Sequence, residues 1–219
     1  KSATLEKEYD GTPLVNGDEP LETEDGFANG EGATYTFTGS RTIAGGTDQH
    51  ENTFDVVPNE GTSLDNYTID KTFGDLVVKD RTTKYQLAVK ANSGTFTYDG
   101  EAHSASGFET LEFTLADNGQ AYTVSGLTSK LEKTDVKRAD EGAVEAYGIP
   151  IDGTAIVKDA DLHDVTAQFE VKTTPGTLTI NPAKLTLTSK SASKPYDGTA
   201  LVEPDVAVEG TDAAKRVFA

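Results

Sequence analysis

Tyr-Asp-Gly is written three times in this chain of 219 residues. It stands in "KEYDGTPL" at Lys7–Leu14, in "FTYDGEAH" at Phe96–His103 and in "KPYDGTAL" at Lys194–Leu201, roughly ninety to a hundred residues apart. Either three sites perform the same chemistry, or one structural unit recurs and the phrase belongs to it. Downstream phrases recur in the same order. "YTFTGSRT" (Tyr35–Thr42) matches "AYTVSGLTS" (Ala121–Ser129), and "DNYTIDKTFGDLVV" (Asp65–Val78) matches "TAQFEVKTTPGTLTI" (Thr166–Ile180). Each of the latter pair has an aromatic (Tyr67, Phe169), a Gly turn (Gly74, Gly176) and an alternating apolar stretch (Leu76 and Val78, Leu178 and Ile180). Recurrence of an ordered set at this period is the mark of a repeat.

Residues 1–80 then form a first repeat, 81–182 a second, and 183–219 the opening of a third. An opening strand precedes the second and third corners ("KYQLAVKA" at Lys84–Ala91, "AKLTLTSK" at Ala183–Lys190), and the first copy lacks most of it. The second copy is longer, with an insertion near 128–147. The junctions "KDRTT" (Lys79–Thr83) and "NPA" (Asn181–Ala183) are short, and Pro182 fixes φ. Neither is a Gly/Ser tether, so neighbouring repeats are expected to form a semi-rigid rod. The chain opens at Lys1 in polar sequence without a signal peptide, and its end at "AAKRVFA" reads as a cut piece of something longer.

Strands are predicted almost throughout. "YTFTG", "YQLAV", "LEFTL", "AYTVSG", "FEVKT", "TLTI" and "LTLTS" alternate at period two with β-branched and aromatic residues, and Asp-Gly, Asn-Gly and Gly-Gly pairs separate them. The one helical prospect is a short turn within "LEKTDVKRADEGAVEA". About seven short strands in some ninety residues point to an all-β chain of tandem Ig-like antiparallel β-sandwich domains. No run of eighteen apolar residues exists, so no membrane insertion is expected.

The phrase itself reads as a structural corner. Asp bonds its own backbone and Gly takes positive φ without a clash. The preceding Tyr sits at a strand end, where its ring covers the base of the sandwich and its hydroxyl stays wet. Three corners follow: Tyr9, Asp10 and Gly11; Tyr98, Asp99 and Gly100; Tyr196, Asp197 and Gly198. A catalytic Asp would need a second polar partner common to the copies, and none is written nearby.

The ordered set resembles the bacterial Ig-like surface repeats called YDG or MBG domains, over almost the whole chain. That resemblance implies an extracellular β-sandwich in tandem arrays on large adhesins and wall-anchored proteins, with no catalytic residues and no cofactor. The second copy departs from the pattern in Glu101 and His103, where the others carry Thr and Leu, and in its insertion. Domains of this Gram-positive type often carry a Lys–Asn isopeptide bond. Lys84 or Lys90 with Asn181 is the candidate set, and the position matching Asn181 in the first copy is Lys79. A surface Lys and a linker Asn explain the pattern better.

Charge narrows the partners. The formal net charge is −18, and residues 1–80 hold 17 Asp and Glu against 5 Lys and Arg. Such a surface repels nucleic acid and anionic lipid. It keeps a protein soluble and attracts cations or basic partners. Two acidic stretches are candidates for calcium: "DADLHD", with Asp159, Asp161 and Asp164 beside His163, and "NGDEPLETEDGFANGEG" at Asn16–Gly32. The first does not fit an EF-hand loop, and its Asp164-Val165-Thr166 also reads as a turn whose Asp and Thr cap the backbone; the second lacks a rigid frame and reads as a solvated loop. Without Cys there is no disulfide or thiol chemistry. His50, His103 and His163 are far apart, and no hydrolase, phosphate-loop or dinucleotide motif occurs, so the chain is read as no enzyme.

The function expected is a structural repeat region of a bacterial cell-surface adhesin, extracellular or in the cell wall. It would act as a stalk or present a binding surface for cell adhesion, with neighbouring repeats as partners. The alternative is a module that captures a host or matrix protein or a glycan through the 128–147 insertion or an exposed edge strand.

Overall fold

A computed structural model describes residues 1–17, 20–22, 26–203 and 206–210. Its strands are short. In chain order they are β1 (Leu5–Glu8), β2 (Leu14–Val15), β3 (Ala33–Phe37), β4 (Ser40–Arg41), β5 (Phe54–Pro58), β6 (Leu76–Lys79), β7 (Tyr85–Lys90), β8 (Gly94–Thr97) and β9 (His103–Ser106). They continue with β10 (Glu112–Thr114), β11 (Ala121–Thr128), β12 (Lys130–Lys133), β13 (Tyr147–Ile149), β14 (Asp152–Lys158), β15 (Phe169–Thr174), β16 (Gly176–Asn181), β17 (Leu185–Ser189) and β18 (Val206–Gly210). The helical residues described are two single 3₁₀ turns, Leu64–Asn66 and Thr166–Gln168, and none is long or apolar enough to cross a membrane.

The chain is therefore all-β, as its alternation predicts. Its sheets are small and open, with two or three strands each. Antiparallel pairing is not universal. β1 runs parallel to β6, from Leu5 opposite Leu76 to Glu8 opposite Lys79. β8 runs parallel to β16, from Gly94 opposite Leu178 to Thr97 opposite Asn181. Both pairs are joined by long connections, as parallel strands require. The two pairs share more than direction. Tyr9 N–H donates to the carbonyl of Lys79 at 2.8 Å, and Tyr98 N–H to that of Asn181 at 2.8 Å. Asp75 N–H donates to Thr4 Oγ1 at 3.1 Å, and Thr177 N–H to Ser93 Oγ at 3.0 Å.

The chain divides into two compact units. The first comprises Lys1–Leu87, Leu111–Ser125 and Ala155–Val171. Its core holds Tyr9, Phe54, Leu76, Val78, Tyr85, Leu87, Tyr122, Val124, Val157, Val165 and Phe169. Phe54 is the hub of an aromatic cluster, edge-on to Tyr35, Phe37 and Phe73 at ring-centroid distances of 5.6, 6.0 and 5.4 Å. The second unit comprises Ala88–Thr110, Gly126–Thr154 and Lys172–Ala219. Its core is Ile149, Leu178 and Ile180, with Phe96, Tyr98, Leu131, Val136 and Tyr147 packed on them.

Two local expectations change. No helix forms within 128–147. Lys130–Lys133 pairs antiparallel with His103–Ser106, Arg138 bridges Val144, and Gly142 turns the chain at φ 82°. Burying Leu131 and Val136 in the second core outweighs the weak helical propensity of the segment. The stretch after Tyr67 is not a strand, although the matching stretch after Phe169 is β15. β15 pairs with β7, whereas residues 68–71 join no sheet among the described residues.

Glycine allows the backbone contacts on which both parallel pairs depend. A Cβ on Gly74 would lie 2.2 Å from the carbonyl oxygen of Ala3, and one on Gly176 would lie 2.1 Å from that of Asn92. Gly74→Ala and Gly176→Ala are each expected to lower stability by about 1–3 kcal/mol through overpacking. Urea melts read this as a lower midpoint, and an unchanged midpoint in either variant would show that the backbone relaxes freely there.

Candidate functional site

The three Tyr-Asp-Gly corners share one hydrogen-bonded turn. Asp10 Oδ1 accepts from Thr12 N–H at 2.8 Å, Asp99 Oδ1 from Glu101 N–H at 2.9 Å, and Asp197 Oδ1 from Thr199 N–H at 3.0 Å. The glycines sit at φ 81°, 87° and 76°. Each aspartate also meets a basic side chain. Lys7 Nζ donates to Asp10 at 2.8 Å, and Lys194 Nζ lies 2.8 Å from Asp197. In the middle corner Phe96 replaces that Lys, and His103 Nε2 stands 3.0 Å from Asp99 with its ring stacked on Phe96 at 4.5 Å.

These contacts depress the carboxyl pKa values. Burial pushes Asp10 upward, but the Lys7 ammonium and the Thr12 N–H and hydroxyl together hold it below its usual value. The Glu101 N–H, then His103, lower Asp99. Lys194, followed by Thr199, draws Asp197 down to about 2.

The tyrosines differ far more than the aspartates. Tyr9 is 1% exposed, whereas Tyr196 is 98% exposed. Tyr98 packs on the second unit's core. The Tyr9 hydroxyl is not wet. It lies 3.4 Å from the hydroxyl of Tyr122, and burial raises its pKa with Tyr122 adding to the effect. Asn118 Nδ2 donates to the carbonyl of Asp10 at 2.6 Å and to Tyr122 Oη at 3.1 Å. A Cβ on Gly11 would fall 2.3 Å from Tyr122 Oη, so Gly11 serves close approach as well as turn geometry.

Arg81 completes this first-unit cluster. Its Nη1 donates to the carbonyl of Tyr9 at 2.9 Å, and its guanidinium lies 3.8 Å above the Tyr85 ring. The buried Gln168 accepts from Arg81 N–H at 2.9 Å and donates to Asp80 Oδ1 at 2.6 Å. Thr82 N–H and Oγ1 both donate to Glu8, at 2.7 and 2.8 Å. Sequence reading passed over Arg81 and Gln168, because a lone Arg in a junction carries no motif.

The acidic candidates are occupied by their own loop. Asp159 Oδ1 accepts from Asp161 N–H at 3.0 Å and His163 N–H at 2.9 Å, and its Oδ2 lies 3.1 Å from His163 Nδ1. Asp164 Oδ1 accepts from Thr166 N–H at 3.0 Å, while Thr166 Oγ1 accepts from Val157 N–H at 2.8 Å. Among the described residues no group of three His, Cys, Asp or Glu is placed to hold a metal ion. Of the acidic stretch Asn16–Gly32, residues 18, 19 and 23–25 lie outside the described ones. The histidines stay apart, each with its own carboxylate: His50 with Asp75 at 3.3 Å, His103 with Asp99, His163 with Asp159. Lys90 pairs with Glu109 at 2.7 Å, and Asn181 ends β16.

One concave feature stands out in the first unit. A groove of about 180 Å³ is lined by Leu21, Phe27, Tyr35, Phe54, Tyr67 and Ile69, among others. Phe27 meets Tyr67 edge-on at 5.1 Å, and the Tyr67 hydroxyl, donating to Glu31, is held above its usual pKa by that carboxylate. The signal for this groove was present in the sequence as the matches of Tyr35 to Tyr122 and Tyr67 to Phe169. Tyr85 of β7 packs 5.6 Å from Phe169, the residue whose phrase matches that of Tyr67.

Comparison of the chain with family models, characterised proteins and solved structures found no significant match.

Tyr9→Ala is expected to cost about 3–5 kcal/mol, as for a large buried aromatic, and Tyr196→Ala less than about 0.5 kcal/mol. Equal effects in chemical denaturation would show that the corner alone, and not its surroundings, sets the role of the Tyr. The depressed pKa of Asp10 stabilises the fold above the unfolded carboxyl value of about 3.9 and ceases to do so as pH falls through the folded value. Stability should therefore hold near neutrality and drop below about pH 4. Asp10→Asn should be less stable at pH 7 and lose less on acidification, and an acid drop as steep as the parent's would remove Asp10 from that account.

Proposed function

We propose that this chain is a spacer region of a bacterial cell-surface adhesin, built of Ig-like repeats of the YDG or MBG type and presented outside the cell. The observation that carries the reading is the burial of the first corner against residues of the following copy. Tyr9 and Asp10 are fastened to Tyr122, Arg81 and Asn118 by hydrogen bonds. Segments of residues 1–80 and 81–182 thereby share one compact unit, which suits a spacer that must keep its shape. The shared register of β1 with β6 and of β8 with β16 supports the repeat itself. The acidic surface supports solubility at high local density.

The alternative, capture of a host protein or glycan through the 128–147 insertion, has less behind it. Leu131, Val136 and Tyr147 of that segment pack on the second core, and Lys133 and Lys137 lie over the Tyr147 ring at 5.4 and 5.8 Å. These contacts give the segment a structural task. Antibodies raised against the chain should label intact, unpermeabilised cells of the source bacterium, and protease treatment of those cells should remove the label. Labelling only after permeabilisation would refute surface presentation.

A further inference from the structure

We propose that Asn29 is a site of spontaneous backbone-directed modification, where the Gly30 nitrogen displaces the side-chain amide and water then leaves aspartate or isoaspartate. The inference is independent of the adhesin reading.

Asn-Gly is written three times, at Asn16-Gly17, Asn29-Gly30 and Asn118-Gly119. Glycine has no Cβ to screen its nitrogen from the preceding side chain, so each pair is competent for this reaction in an open chain. Folding separates them. Asn16 is buried, 6% exposed. Asn118 is held at both ends of its amide. Its Nδ2 donates to the carbonyl of Asp10 at 2.6 Å and to Tyr122 Oη at 3.1 Å, and its Oδ1 accepts from Gln120 N–H at 2.9 Å. The nitrogen that would attack it is engaged too, since Gly119 N–H donates to the carbonyl of Leu115 at 2.8 Å.

Asn29 has none of these restraints. It is exposed at the tip of a turn closed by Glu31 N–H on the carbonyl of Ala28 at 2.9 Å. Among the described residues neither its side chain nor the Gly30 N–H has a hydrogen-bond partner. Gly30 sits at φ 89°, and nothing lies within 4 Å of where its Cβ would be, so the tip has room to rearrange.

The reaction needs only water. The Gly30 nitrogen gives up its proton and bonds to the Asn29 side-chain carbonyl carbon. The bond from that carbon to Nδ2 breaks, and ammonia leaves with the proton. Water then opens the succinimide at either carbonyl. One opening leaves aspartate, and the other leaves isoaspartate, whose main chain runs through the former side chain and is one carbon longer. Both add a negative charge, and nothing is oxidised or reduced. The consequence is local. Tyr67 grips both ends of this turn, its Oη accepting from Ala28 N–H at 3.1 Å and donating to Glu31. A longer main chain between two fixed ends opens the turn beside Phe27, which lines the first-unit groove.

Peptide mapping by mass spectrometry tests this on the full chain held at mildly alkaline pH, where the attacking nitrogen loses its proton more readily. Conversion at Asn29 should run at least about tenfold faster than at Asn16 or Asn118, whose reaction waits on local opening. In urea the three rates should converge. Ion exchange should resolve the converted folded chain as a more acidic species, and Asn29→Gln, which requires a larger ring, should remove it. Equal rates at the three sites in the folded chain, or faster conversion at Asn118 or Asn16, overturn the proposal. So does an Asn29 that stays intact while the same pair reacts in urea. Neither result touches the surface-labelling test.

Discussion

Backbone meets backbone at glycine in this protein, and the strand arrangement depends on it. At Gly39, Gly74, Gly153 and Gly176 a Cβ would stand about 2 Å from a carbonyl oxygen of another segment. Sheets of two or three strands cannot enclose a deep core. Small sheets are therefore drawn together until little space remains between chains. The buried Ser2 marks the same economy, with its hydroxyl donating to the carbonyl of Asn52 at 2.6 Å and accepting from Gly74 N–H at 3.0 Å. With no disulfide available, this packing and the two small apolar cores hold the elements.

The corners show how one local device is kept while its chemistry is exchanged. The turn needs an acceptor at Asp and a positive φ at Gly, and both are present three times. The side-chain nitrogen beside the Asp is less constrained. Lys7 and Lys194 supply it from three residues before, and His103 supplies it from four residues after, where Phe96 has taken the Lys position. Glu101 and His103 looked like a departure from the pattern, and in space His103 restores the missing contact.

Period-two alternation made the all-β class legible, because apolar side chains on one face of a strand leave that trace whatever the strand pairs with. The same alternation says nothing about direction. Leu76 and Val78 read identically in a parallel or an antiparallel pair, so the parallel register of β1 with β6 lay beyond the pattern. Strand β12 was hidden for a related reason. "KLEK" has one apolar residue and becomes a strand only through its pairing with His103–Ser106 and the burial of Leu131. The burial of Tyr9 was invisible too, since its hydroxyl partner Tyr122 is more than a hundred residues away.

Tyr-Asp-Gly therefore combines two requirements of different range. The Asp and Gly are satisfied within a few residues, and the turn forms even at Tyr196, whose ring is almost wholly exposed. The Tyr is satisfied only by what the following chain brings to it. At Tyr9 that chain supplies Tyr122, Asn118 and the Arg81 junction, and a solvent-facing phenol becomes a core residue. Local hydrogen bonds thus hold each corner, and burial of its ring depends on distant residues: Tyr122 for Tyr9, and the core of Ile149, Leu178 and Ile180 for Tyr98.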